Sequence, residues 1–540
     1  MGGHLFIIDG DLTKIACDAI LIPTDAVFSI TKHWRSFLTE TGHWGEVDDL
    51  IDRGWGRSNM VPLSPQDKNP RIWLGNIGQA GDTTDFSVFA PKVKHFIDAA
   101  IEEHQRNSDI KRIYNWSRPR LALPVIGTGH GGGAKKKGNL ILGLVGTLEE
   151  LVRRLEFDAD IVLVTYGQKH YAAAQRARRE LLTSDDNESI RSHWRFEDEP
   201  KDMSLIESAK SLAAEAIDSQ LVLFLGAGVS AGAGLPTWPA LLKTIAKGVN
   251  FETGKRFEKL DYRDQATILK RQLEMQNKSL GKSAAEELTQ RYYSLADGLL
   301  SSLPSREAVT TNYDTLFETA WSTASRKVAI LPNQPAHPNG RWLLKLHGCI
   351  TRPEKLVLTR ADYLDMPRQQ GALMGLVQGL LMMRHMMFIG YSLSDEDFQE
   401  LIYEVRRALG HQRDAKPIGT VLTLETDSLT NELWAKDLHV IPVTAQESTL
   451  TPEERSRQLE VFLDLVAYLS TTSAAFFLDK SYDDVSDGEN ELRTELSRLF
   501  WELQEKEDRE PDTDSVAKKV LRFLKEELGA GKRTTKKGRR

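Results

Sequence analysis

Short apolar runs recur along the chain, each followed by glycine or small polar residues and then by apolar positions spaced three and four apart. In the first third the runs are His4 to Ile8, Ala19 to Ile22, Arg120 to Ile126 and Ile161 to Thr165, with a helical pattern from Leu140 to Leu155. Runs this short, bounded by turn residues and alternating with helical periodicity, predict an α/β domain over residues 1–183. Residues 184–203 turn polar and charged around a proline, which predicts a partly extended interdomain linker. A helical pattern from Ser204 to Ile217 then leads to five strand candidates. These are Leu221–Leu225, the run into Asn312-Tyr313-Asp314, the run into His347-Gly348, the run into Gly390-Tyr391-Ser392, and Ile418–Leu424. Together they predict a second α/β domain with a parallel sheet over residues 204–470. Acidic amphipathic patterns at Glu489–Leu503 and Ser515–Leu528 predict a helical extension over 471–540, packed on the second domain or on a second subunit, so a homo-oligomer is expected.

Composition narrows the function. Hydrophobic residues make up 40% of the chain and charged residues 27%, as in an ordinary soluble globular protein. A net charge of −7 offers no general attraction for nucleic acid. The basic cluster of Lys532, Arg533, Lys536, Lys537, Arg539 and Arg540 reads as a solvated end, with a phosphate-binding arm as the alternative. Cys17 and Cys349 are too few for a cysteine-rich metal site or a disulfide framework, which points to a reducing, cytoplasmic setting with no metal. No run approaches the roughly 20 apolar residues of a membrane span.

The strand ends carry the candidate chemistry. Leu221–Leu225 empties into Gly226, Ala227, Gly228, Ser230, Gly232 and Gly234 before a helical pattern resumes. Backbone amides approach a pyrophosphate only where no Cβ intervenes, so this loop suits a dinucleotide; tight packing is the competing reading. Asn312 and Asp314 are fit to orient a water or a ribose hydroxyl and to accept from a carboxamide, or to cap the helix beginning near Thr315. His347, taken near its unperturbed pKa, is the candidate general base, against the reading of a satisfied packing histidine. A second glycine loop, Gly127-Thr128-Gly129 through Gly131, follows the Arg120–Ile126 strand, with Lys135, Lys136 and Lys137 beside it.

Taken together, GAGVSAGAGLP, TNYD, KLHG and GYS resemble the sirtuin superfamily. The resemblance implies a Rossmann-type sheet that binds NAD through Gly226, Ala227, Gly228, Ser230, Gly234, Thr311, Gly390, Tyr391 and Ser392, with Asn312, His347 and Asp314 catalytic. Deacylating sirtuins carry four zinc-binding cysteines and a Pro-Asp-Phe-Arg sequence; this chain has neither, and Pro236 is followed by Thr237-Trp238-Pro239. The pattern looks more like the sirtuin-like (SIR2-like) NAD hydrolases of bacterial antiviral defence, which use NAD as substrate. A protein deacylase or ADP-ribosyltransferase, and a non-enzymatic sensor of NAD or ADP-ribose, are the alternatives.

The first domain resembles a macro domain through Gly10-Asp11-Leu12-Thr13, Asp18-Ala19-Ile20 and Leu123–Gly129. That implies an ADP-ribose site with Asp11 accepting from adenine and Gly127, Thr128, Gly129 and Gly131 around the diphosphate. Pro23-Thr24-Asp25 stands where hydrolytic macro domains carry an asparagine pair, so a binding or sensing role is expected.

Overall fold

The computed structural model describes residues 2–56, 58–66, 69–78, 85–106, 114–128, 133–154, 157–182, 187–196, 202–251, 253–322, 327–337, 340–391, 396–410, 417–425, 427–445, 448–509 and 516–531 of the 540-residue chain. The basic tail lies outside them. The first sheet is built from β1 (Leu5–Asp9), β2 (Ala19–Thr24), β3 (Met60–Pro62), β4 (Arg71–Asn76), β5 (Arg120–Pro124) and β6 (Asp160–Thr165), in the order β1-β6-β5-β2-β4-β3. All neighbours are parallel except β3 and β4. Its helices are α1 (Lys32–Glu40), α2 (Trp44–Arg53), α3 (Ala90–Arg106), α4 (Lys137–Val152) and α5 (Gln168–Leu181). Strand β1 is buried at every position because each face of the sheet is covered. Leu5 and Ile7 pack with Phe96, Leu144 and Tyr171 of α3, α4 and α5.

Within the segment expected as a partly extended interdomain linker, residues 187–193 form α6 (Asn187–His193), and Ile190, Trp194 and Phe196 are buried. After it come α7 (Asp202–Ile217), β7 (Leu221–Leu225), α8 (Ala227–Ala231), α9 (Trp238–Gly248), α10 (Lys255–Glu258), α11 (Tyr262–Glu274), α12 (Leu280–Glu287), α13 (Leu295–Ser302), β8 (Glu307–Thr310), α14 (Leu316–Trp321), β9 (Val328–Leu331) and β10 (Arg341–Lys345). The chain continues through α15 (Arg360–Met383), β11 (His385–Ile389), α16 (Glu396–Leu409), β12 (Gly419–Thr423), α17 (Ser428–Trp434), β13 (Leu438–Pro442) and α18 (Pro452–Ser470). The second sheet is parallel throughout, in the order β13-β12-β11-β7-β8-β10-β9. Strand β7 therefore lies between β8 and β11, where the strand order changes direction. A crevice opens at such a switch point, beyond the C-terminal strand ends.

One apolar cluster runs from Phe6 and Ile8 of β1, through Ala209 of α7, Leu299 of α13 and Val461 and Leu465 of α18, to Leu223 and Leu225 of β7. The two sheets thus share a helical layer. On the far side of the second sheet, Val222 and Phe224 pack with Leu380, Leu401 and Trp434 of α15, α16 and α17. The architecture is a mixed α/β stack of five layers.

Helix α18 faces the first sheet with Arg457, Glu460 and Asp464, one stripe at helical spacing. Arg457 grips Asp160 through Nε (2.8 Å) and Nη2 (2.7 Å), and Glu460 pairs with Arg120. Asp464 accepts from His4 Nε2 (2.9 Å), Arg178 Nη1 (2.9 Å) and Trp194 Nε1 (2.8 Å). All of these side chains are buried. Buried ion pairs contribute little net stability but strongly disfavour arrangements that break them. This set therefore specifies how α18 seats on the sheet.

The last helices, α19 (Asp487–Arg509) and α20 (Val516–Glu526), pair with each other. Contrary to the sequence expectation, their segment docks on the first sheet's helices. Phe476 and Tyr482 enter the α4–α5 core, and Arg176 makes a two-pronged pair with Glu489 at 2.7 and 2.9 Å. No helix among the described residues is long and apolar enough to cross a membrane.

Candidate functional site

Two strand-end loops meet at the crevice. A Cβ on Gly226 would stand 2.3 Å from the Gly390 carbonyl oxygen, and one on Gly228 would stand 2.7 Å from Gly390 Cα. Gly228 N donates to Gly390 O (2.9 Å), and Gly226 N donates to Ile389 O (2.9 Å). The loop glycines thus serve first to let β7 and β11 deliver their loops in contact, and these two amides are spent on that contact. Of Gly226, Gly228, Gly232 and Gly234, only Gly234 takes a positive φ, +79°.

From the next strand, Thr310 Oγ1 donates to Leu225 O (2.9 Å) and accepts from Asn312 N (3.0 Å), which turns the chain back over the glycine loop. Asn312 Nδ2 donates to Gly226 O (3.0 Å) and to Ser230 Oγ (3.1 Å). Ser230 Oγ in turn donates to Asp314 Oδ2 (2.9 Å), and Asp314 Oδ1 accepts from Leu316 N (3.0 Å). Ser230, expected among the NAD-binding residues, is a buried bridge between Asn312 and Asp314. Both Asp314 oxygens are engaged, one of them in the capping role that the sequence left open.

His347 lies two residues beyond β10 and is 5% exposed. Its ring meets Tyr363 edge-on (centroids 5.2 Å apart) and faces Tyr313 at 6.3 Å. Val357 N donates to His347 O (3.1 Å), and Tyr313 Oη donates to Val357 O (2.8 Å), so the histidine's segment is braced on both sides. Burial pushes the imidazole down to about 4, not near its unperturbed value as expected, because the charged form loses its hydration. At neutral pH the ring is uncharged and able to accept a proton.

Ser230, Asn312, Asp314 and His347 line one cavity of about 490 Å³ together with Ala227, Thr311, Gly390 and Tyr391, whereas Gly226, Gly228 and Gly234, expected to hold the cofactor, are not among its lining residues. Ser392 lies outside the described residues. Trp238, Tyr313 and Tyr363 form an aromatic wall beside His347, and Asp261 and Arg263 also line the cavity. Sequence reasoning missed Tyr363, Asp261 and Arg263, which come from helical stretches with no motif of their own.

The corresponding loops of the first sheet are differently employed. Asp11 Oδ1 accepts from Thr13 N (2.9 Å) and Thr13 Oγ1 (2.7 Å) and lies 3.3 Å from His33 Nε2. The His33 pairing and the Thr13 bonds hold its carboxyl below the usual range against the opposing effect of burial. Tyr293, from the second half of the chain, accepts from Asp11 N (3.1 Å); its hydroxyl would stand 2.4 Å from a Cβ on Gly10. Gly127 has φ +82° and packs on Phe89, Thr128 is buried, and Gly129 and Gly131 lie outside the described residues. Lys136 pairs with Asp483 (3.2 Å) and Lys137 N donates to Ser481 O (2.7 Å), so part of the lysine run is occupied by the C-terminal segment. Among the described residues, no cluster of three or more His, Cys, Asp or Glu side chains is placed to hold a metal ion.

Residues 306–443, from the start of β8 to the end of β13, match the family model described as SIR2-like domain. The chain is 25% identical over 219 residues to Defense-associated sirtuin 2 of Bacillus subtilis, covering 38% of this chain and 21% of that protein. It is 24% identical over 221 residues to NAD(+) hydrolase ThsA of Bacillus cereus (38% and 44% covered), and 28% identical over 207 residues to NAD(+) hydrolase ThsA of Enterococcus faecium (36% and 42% covered). The match thus spans less than half the length of each of these relatives. Two mutants of the Oceanobacillus iheyensis macrodomain, one with ADPR, align with 33% of this chain at 14% identity and TM-scores of 0.25 and 0.24, covering 92% and 94% of their own chains.

Proposed function

We propose that the protein hydrolyses NAD at the nicotinamide–ribose bond and acts as an NAD-depleting effector of antiphage defence in the cytoplasm. The observation that carries this reading is the convergence of Asn312, Ser230, Asp314 and neutral His347 on one cavity at the switch point of the second sheet. The names of the ThsA relatives and of Defense-associated sirtuin 2 agree with it.

The chemistry needs positioning and one proton acceptor. The C–N bond breaks with its electron pair leaving on nicotinamide, and positive charge develops at the ribose carbon. Water adds to that carbon, and its proton passes to the neutral His347 ring and on to solvent. Asn312, its amide nitrogen tied to Gly226 and Ser230, presents its remaining polar atom to the water or to a ribose hydroxyl. Asp314 acts through Ser230, fixing that hydroxyl for Asn312. The glycine loop, Thr311, Gly390 and Tyr391 line the path of the dinucleotide. In this reading the first domain is a nucleotide-binding unit for ADP-ribose or a relative, bearing on the NAD site, and the working protein is a homo-oligomer.

Incubating the purified full chain with NAD alone tests the reading. Release of nicotinamide and ADP-ribose without an acceptor is the expected result. Turnover that requires an acylated peptide would replace hydrolysis by deacylation, and absence of turnover with or without added ADP-ribose would leave a binding protein.

A further inference from the structure

A charged pair lies directly beneath the cavity. Lys345, the last residue of β10, is 3% exposed, and its Nζ donates to the Asp314 carbonyl and to Glu318 Oε1 (3.0 Å) and Oε2 (3.3 Å). All three contacts lie on the turn and helix that follow β8. Lys345 stands opposite Thr310, which stands opposite Leu225, so one rung crosses the ends of β10, β8 and β7. Gly226 lies one residue beyond that rung, and Asn312 and His347 lie two residues beyond it.

We infer that Lys345 is a positioning residue for NAD cleavage: its ammonium ties the turn that carries Asn312 and Asp314 to the strand that carries His347. This rests on the hydrolase reading above. From the β7 side the turn is held by Asn312 on Gly226 and by Ser230 on Asp314. From the β10 side, Leu346 N on Thr310 O and Ile350 N on Tyr313 O (2.9 Å each) hold the backbone path. Neither of those bonds reaches the Asp314 carbonyl; Lys345 does. The three strands thus deliver their side chains at a spacing set from both flanks of the turn.

A buried ion pair is a poor source of stability, since an apolar pair of the same shape is often as stable. The lysine stem buries well in any case. What an apolar residue could not do is bond the Asp314 carbonyl and Glu318 together. Burial raises the Glu318 carboxyl, and Lys345 opposes that shift, so removing the lysine alone would leave a stranded acid. Stability and position are therefore separable in a double variant.

The test compares Lys345→Met with Lys345→Met/Glu318→Gln in the full chain, by melting temperature, NAD kinetics and amide hydrogen exchange. The double variant is expected to recover most of the melting temperature lost by the single one. Its kcat should remain lower by about 10- to 100-fold, with KM for NAD changed by less than about twofold. Amides 311–316 should exchange faster while those of 341–345 do not. Recovery of kcat together with stability, or unchanged exchange at 311–316, would overturn the assignment. A wild-type chain that does not cleave NAD refutes the hydrolase reading instead, and the exchange result then decides the positioning claim by itself.

Discussion

At the end of β7, Gly226 to Ser230 lead into a cavity that Asn312, Asp314 and His347 also face; at the end of β1, Gly10 and Asp11 lead into Tyr293 from the other half of the chain. Both loops stand where parallel sheets place ligands. In the second sheet, polar groups from neighbouring strands bond one another in a chain, from Gly226 through Asn312 and Ser230 to Asp314, while still lining open space. In the first, the Asp11 carboxylate turns back on Thr13 and His33, and the place of a Gly10 side chain is filled by a tyrosine hydroxyl. A strand-end glycine loop is thus a location rather than a function. Among the described residues, the polar groups of the second sheet line a cavity, while Asp11 bonds Thr13 and His33 and Gly10 packs on Tyr293.

The sharpest way to break the comparison is to remove the groups on the cavity side. Asn312→Ala and His347→Ala should each lower NAD cleavage by about a thousandfold or more in a chain that still folds, as read by circular dichroism. A variant of either residue that retains full activity would take it out of the reaction. On the other side, Gly10→Ala should act on stability: its new methyl meets the Tyr293 hydroxyl, at a cost of about 1–3 kcal/mol read by urea denaturation. Adding Tyr293→Phe, which removes the colliding oxygen, should return part of that loss; an unaffected single variant would show that the contact yields freely.

The smallest expected effect concerns pH. With His347 held at about 4, its neutral form persists from pH 8 down to about 5, so kcat/KM should not fall through pH 6.5 on its account. Rate is lost only as pH drops toward 4, where the ring gains a proton and can no longer accept one. An acid limb centred near 6.5 would mean that the ring is hydrated in the working enzyme.

The two regions also differ in how far they could be read from the chain. Leu221–Leu225 is an unbroken apolar run bounded by Gln220 and Gly226, and the strand has those same bounds. Strand β9 has four residues at a sheet edge, and β13 interrupts its apolar residues with His439 and Pro442; neither carries a periodic signal long enough to stand out. The polar composition of residues 184–203 hid Ile190, Trp194 and Phe196, three scattered apolar side chains whose burial depends on a distant helix. At the site, the residue types were legible because the motifs end strands. Their engagements were not, because the partners of Ser230 and Asp314 lie on other strands and the titration of His347 is set by what surrounds it. Tyr293 gave no signal at all: its meaning exists only once the two halves touch.

The helical layer held in common by the two sheets bears on how such a chain can change over generations. Replacing the first sheet by another would confront Arg457, Glu460 and Asp464 of α18 with side chains not matched to them. Halves joined by a loose tether can be traded freely among lineages. These two are matched to one another in shape and in charge, so that neither half presents a finished surface without the other.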